Sequence, residues 1–157
     1  MEQDSLLDGS VEAFRAVSKE FDNVYSNFAK SCGLSDAEYW SLLMIRSGAA
    51  TQTEISDQLF LSRQTINSAF KQLVKKGFVR LEALEHNQRT KQVILTPLGE
   101  QFMEQHVDQM LSVEQQAWQV LDENERVMLT QLTRKYCHLI QAALKQPPTT
   151  ESLSSED

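Results

Sequence analysis

Apolar positions recur with a helical period along most of the chain. Phe14, Val17, Phe21, Val24 and Phe28 follow one another at alternating steps of three and four, a single stripe on one helix. The spacing predicts a helix over 9–31, with Gly33 beyond its end as a stop. Ser35-Asp36-Ala37-Glu38 then has the pattern of a capping box, in which the serine caps the helix and the glutamate reaches back. That helix runs to about Ser47 with Trp40, Leu43 and Met44 inward, and Gly48 ends it. Thr51-Gln52-Thr53-Glu54 repeats the box and opens a short helix, 52–58, that turns Ile55 and Leu59 inward. Phe60-Leu61 is a turn. Ser62 caps a further helix, 63–76, with Ile66, Ala69, Phe70, Leu73 and Val74 on one face and Gly77 as its stop.

The period then changes. Phe78-Val79-Arg80-Leu81-Glu82 alternates as a half-buried strand does, and Lys91-Gln92-Val93-Ile94-Leu95 is a second strand. The polar stretch Glu85–Thr90 between them reads as the loop of a β-ribbon. Thr96-Pro97 is an N-cap followed by a first-turn proline, opening a long helix to about Leu121. Asp122-Glu123-Asn124-Glu125 is one more capping box, and Leu129, Leu132, Tyr136, Leu139 and Ala143 stripe the last helix over 123–145. The expected fold is mainly α with a small β-ribbon wing. It divides into an N-terminal arm (1–8), a winged helix-turn-helix lobe (35–96) and long flanking helices (9–34 and 97–145). The tail from Gln146 is rich in Pro, Ser, Thr and acid and is expected to be disordered.

Composition narrows the function classes. At 41% apolar and 24% charged residues, the 157-residue chain has an ordinary globular balance. No apolar run reaches the ~18–20 residues of a membrane span. The acidic start, Met-Glu-Gln-Asp-Ser, has no apolar signal region, so a cytoplasmic address is expected. Cys32 and Cys137 lack the spacing of a zinc ribbon or disulfide framework. No metal or cofactor is expected, and no nucleophile–base pairing, glycine-rich phosphate loop or paired carboxylates speak for an enzyme.

The formal net charge of −7 argues against nucleic acid, but its distribution does not. Residues 62–96 hold seven cations against two anions, a local excess of +5 that leaves −12 for the remainder. A basic stretch in an acidic body is a localised electrostatic footprint.

That footprint coincides with the helix pair 52–58 and 63–76. In a helix-turn-helix the second helix presents polar side chains near its N-terminus to base edges. Gln64 and Asn67, three apart, have amides that pair bidentately with adenine, and Arg63 suits guanine. Ser62, Thr65 and Ser68 suit phosphate oxygens, and Lys71, Lys75 and Lys76 neutralise phosphates further along. Thr51, which caps the bracing helix, joins the same DNA-binding set. On the ribbon, Arg89 is flanked by Asn87, Gln88 and Lys91, and a guanidinium on a thin wing can enter a narrow minor groove. The competing reading is a protein-interaction module with a degenerate helix-turn-helix.

The stripes on 9–31 and 123–145 are longer than a small winged core can cover. Exposed on a monomer they would make an apolar patch that soluble monomers rarely tolerate. A homodimer is therefore expected, with half-sites one helical turn, ~10 base pairs, apart.

Four runs, Thr51-Gln-Thr-Glu-Ile-Ser-Asp-Gln-Leu, Ser62-Arg-Gln-Thr-Ile-Asn-Ser, Leu73-Val-Lys-Lys-Gly-Phe-Val-Arg80 and Arg89-Thr-Lys-Gln-Val-Ile-Leu-Thr-Pro-Leu-Gly99, stand in an order and spacing that resembles the MarR family of winged-helix transcription regulators. The resemblance covers about residues 9–145. It implies a symmetric dimer with interlocked terminal helices, two winged lobes on a pseudo-palindromic DNA site, repression in most members, and release by a small-molecule effector in many. It also points to the junction of the first two helices as an effector pocket, here Phe28, Cys32, Tyr39, Trp40 and Leu43. Cys32 and Cys137 are expected as structural, core cysteines. The family wing usually carries an aspartate two residues before its arginine. Here that position is Asn87, which offers Arg89 a hydrogen bond and no ion pair.

Overall fold

The computed structural model describes residues 9–84 and 87–145, with side chains outside 84–90. The expected arm at 1–8 and the tail from Gln146 lie outside the described residues, as do the side chains of Asn87 and Arg89. The described elements are α1 (Val11–Ser31), α2 (Asp36–Arg46), α3 (Gln52–Leu59), α4 (Arg63–Lys75), β1 (Val79–Leu84), β2 (Asn87–Leu95), α5 (Pro97–Phe102), a π-helical turn (Met103–Val107), α6 (Asp108–Val120) and α7 (Glu123–Lys145). This is the expected mainly helical, winged helix-turn-helix architecture.

Both capping boxes at the centre of the chain form. The Ser35 hydroxyl accepts from the Glu38 N–H at 3.3 Å while Glu38 accepts from the Ser35 N–H at 2.7 Å. At α3, Thr51 accepts from the Glu54 N–H, and Glu54 accepts from the N–H groups of Thr51 and Ala50. These bonds satisfy donors that a helix start otherwise leaves open.

The described residues form two units, one ending at Leu111 and one beginning at Ser112. In the first, Tyr39 and Leu42 of α2, Ile55 of α3, and Ile66, Phe70 and Leu73 of α4 make a common core with Val79, Val93, Met103 and Val107. Each of the larger side chains removed from water contributes about 1.5–3 kcal/mol before entropy is counted. The ribbon is antiparallel, in register from Val79 opposite Leu95 to Ala83 opposite Lys91, with a bulge at Ala83/Leu84. It is anchored to the helix-turn-helix, because Val93 donates to Ala50 at 2.8 Å and Thr51 bridges Gln92. The second strand begins at Asn87, so the connecting loop is shorter than the polar stretch 85–90 suggests. Ladder pairing is a backbone property, and polar side chains do not prevent it in an exposed ribbon.

The long helix expected from Pro97 is interrupted. An α-helix drifts by about 40° over each four residues, so Gly99, Met103 and Val107 would leave a common line. The wider winding of the π turn offsets that drift, and all three are buried. Arg46 locks this stretch from α2. Its Nε and one terminal nitrogen donate to the two Asp108 carboxylate oxygens, both at 2.9 Å, and the other donates to Glu100 at 2.7 Å.

The second unit holds the rest of α6 and α7, joined through a capping box of Asp122 and Glu125. It buries none of its described residues, and Leu129, Leu132, Leu139 and Ile140 stand exposed along α7. Cys137, expected in the core, is exposed too, because the stripe it borders is uncovered in the single chain. On α1 the outer stripe Val11, Phe14, Val17, Phe21 and Val24 is 44–62% exposed. Among the described residues no helix is long and apolar enough to cross a membrane.

Candidate nucleic-acid interface

The leading turns of α4 carry the candidate site. Ser62 is extended and caps the helix, accepting from the Thr65 N–H at 3.0 Å, and the two hydroxyls lie 2.8 Å apart. Ile66, Ala69, Phe70 and Leu73 take the inner face, so the helical period turns Arg63, Gln64, Thr65, Asn67, Ser68, Lys71 and Lys75 into solvent.

Two hollows flank this ridge. One, of about 230 Å³, lies over Ile66 and joins Thr51, Gln52 and Thr53 at the start of α3 to Arg63, Asn67 and Lys91 of the wing strand. Four residues expected at the interface, Thr51, Arg63, Asn67 and Lys91, thus meet in one place. Gln52 and Thr53, outside the expected set, line the same hollow; their position in the first turn of the bracing helix is the signal for them. The other hollow, about 600 Å³, lies between the start of α2 and α4 and is lined by Gln64, Thr65 and Ser68. Gln64 and Asn67 are both exposed but line different hollows.

The cations divide into two groups. Arg63, Lys71, Lys75 and Lys91 have no carboxylate within 4.0 Å among the described residues. Lys76, expected to neutralise phosphate, does something else. Its Nζ donates to Glu38 at 2.5 Å and to the Gly33 carbonyl at 2.8 Å, tying the end of α4 to the α1–α2 junction. Glu38 is buried there. Burial pushes its carboxyl up, but hydrogen bonds from Lys76 and Ser35, with the lysine charge, hold it below its usual range. Glu54 is held low by the Ala50 and Thr51 N–H groups.

Phe28, Cys32, Tyr39, Trp40 and Leu43 do come together, within the core cluster of the first unit. Phe28 meets Tyr39 edge-on at 5.6 Å between ring centres, and Tyr39 meets Trp40 at 5.3 Å. Tyr25, absent from the expected set, packs on Trp40 at 5.0 Å. It lies three residues before Phe28 on α1, which was the signal for it. Cys32 is half-buried. Among the described residues no three acidic, His or Cys side chains are grouped to hold a metal ion.

A capped helix pair with an outward polar ridge and an antiparallel ribbon pinned beside it defines a winged helix-turn-helix protein. Residues 33–90 match the MarR family. No curated protein sequence matches the chain. Solved structures share the fold at low identity. A MarR family regulator from Neisseria meningitidis is 15% identical with a TM-score of 0.72, over 85% of this chain and 95% of that one. The Bordetella bronchiseptica BpsR, whose DNA binding is regulated by 6-hydroxynicotinic acid, is 19% identical with a TM-score of 0.66, over 83% and 95%. The S. aureus MepR in complex with DNA is 21% identical with a TM-score of 0.65, over 80% and 94%. The family match is confined to residues 33–90, and the chain shares its fold with solved MarR family regulators.

Proposed function

We propose that the protein is a sequence-specific DNA-binding repressor that acts as a homodimer and is released by a small-molecule effector. The observation that carries the DNA reading is the ridge of α4. Amide and guanidinium groups stand exposed at its leading end, with cations that have no acidic partner among the described residues beside them. In this reading Gln64 and Asn67 read adenine edges and Arg63 reads guanine. Thr51, Ser62, Thr65, Ser68, Lys71, Lys75 and Lys91 hold phosphates, and Asn87 and Arg89 carry the wing into the adjoining minor groove. Lobe 35–96 reads DNA. The helices of 9–34 and 97–145 dimerise through the apolar stripes left exposed on α1 and on α7, each of which needs a cover.

Repression follows from occupancy, since a dimer seated on promoter DNA excludes other proteins. Release follows if an effector binds better to a conformation whose lobes no longer match the half-sites. The aromatic cluster around Tyr39 is the proposed place for it, supported by its position against α1. That an effector governs BpsR and that MepR binds DNA agree with the reading.

A binding series in rising salt tests it. Wild-type protein should select a sequence from a randomised duplex pool and lose affinity steeply and linearly in log salt. Failure to enrich any sequence, with a protein partner retained instead, would support the interaction-module reading.

A further inference from the structure

Phe60 ends α3 in the left-handed region, at φ 53° and ψ 30°, and among the described residues no other non-glycine has a positive φ. A β-carbon is crowded in that conformation, so a bulky residue there carries strain that glycine avoids. The ring is also 95% exposed. The turn does not need it. The Ser56 hydroxyl donates to the Leu61 carbonyl at 2.8 Å, the Leu61 N–H donates to the Ser56 carbonyl, and the Phe60 N–H donates to Asp57. The free chain therefore bears two costs at this residue, and packing among the described residues compensates neither.

The location indicates what does. Phe60 is two residues before the Ser62 cap and three before Arg63. Three residues reach at most ~10 Å, less than the ~12 Å width of a major groove. The backbone of Phe60 thus lies within one groove width of that of Arg63, whose guanidinium is exposed and has no carboxylate partner among the described residues.

We infer that Phe60 is a DNA-contacting residue whose ring packs on apolar surface of the duplex, the thymine 5-methyl group or the face of a deoxyribose. This rests on the DNA-binding reading above. The contact is uncharged, so it adds affinity without releasing counterions.

The test compares full-length wild type with Phe60→Gly and Phe60→Asn, both of which suit a left-handed residue. The probes are a duplex selected by the wild type from a randomised pool and versions with each thymine replaced by deoxyuridine. Both variants should unfold at higher denaturant than wild type. They should nevertheless bind the selected duplex about fourfold more weakly, the worth of one buried methyl group, with the salt slope unchanged. If the ring meets a thymine methyl, deoxyuridine at that position should weaken the wild type and leave the variants unaffected. If it meets a deoxyribose, the variants should lose affinity equally on all the duplexes. Variants that bind every duplex as tightly as wild type overturn the inference and leave the DNA reading intact. Variants less stable than wild type overturn it as well, and a wild type that binds no duplex overturns both readings.

Discussion

Neutralising Glu38 probes how the end of α4 is held. Its side chain is 4% exposed and that of Lys76 30%, so the two members of the pair sit at different depths. Glu38→Gln keeps the shape, and an amide oxygen can still accept from the Ser35 N–H as a capping box requires. What is lost is the charge opposite Lys76, and a hydrogen bond to a charged group contributes about 1.5–3 kcal/mol. The stranded lysine can turn toward water, so the cost should stay within that range. Lys76→Met is the harsher change. It leaves a carboxylate at the deeper position without its cation, a situation that costs about 3–5 kcal/mol. The double variant should lose less than the sum, with a coupling of about 1–2 kcal/mol.

Urea denaturation measures all of these through the midpoint at constant slope. Because the Glu38 carboxyl is held below its usual value in the folded chain, its stabilisation is complete above the unfolded glutamate value of about 4.3. It is lost as pH falls through the lower folded value. Glu38→Gln should flatten that part of the acid limb. A neutral Glu38→Gln, or additive single variants, would refute the pairing as a source of stability.

Other outcomes follow from single positions. At Gly99 an added β-carbon would sit 1.9 Å from the Phe78 carbonyl oxygen, so Gly99→Ala should cost about 3 kcal/mol or more in thermal unfolding; an unchanged melting temperature would contradict the close approach of α5 to the ribbon. Phe21→Glu adds charge to a side chain 62% exposed in the single chain. It should turn a dimer into a monomer in sedimentation without unfolding it, and a variant that stays dimeric would remove the α1 stripe from the interface. Arg89→Ala should relax preference in flanking A·T steps, and an unchanged footprint would show that the wing makes no contribution.

The helix-turn-helix was legible because its signals are local. Ser35, Thr51 and Ser62 cap within three residues of their partners, and Ile66, Phe70 and Leu73 mark the inner face of α4 by spacing alone. The features that escaped are long-range. Lys76 looks like one of three similar cations on a basic helix, and only the partner 38 residues away reassigns it. The π turn at Met103–Val107 answers to burial against α2 and to Arg46, neither of which leaves a mark on the periodicity of 97–121. The apolar neighbours of Cys137 predict a core position, yet among the described residues nothing covers them. Phe60 read as an ordinary turn residue, since a left-handed conformation at a non-glycine has no sequence signature.

The central claim is that the exposed amides of α4 read bases. It is tested most directly by comparing Asn67→Ala and Gln64→Ala with wild type on the selected duplex and on a scrambled one. The account predicts a loss of about 1–3 kcal/mol for each on the selected duplex alone, with random-sequence affinity and salt slope retained. Equal loss on both duplexes, or none on either, would contradict it.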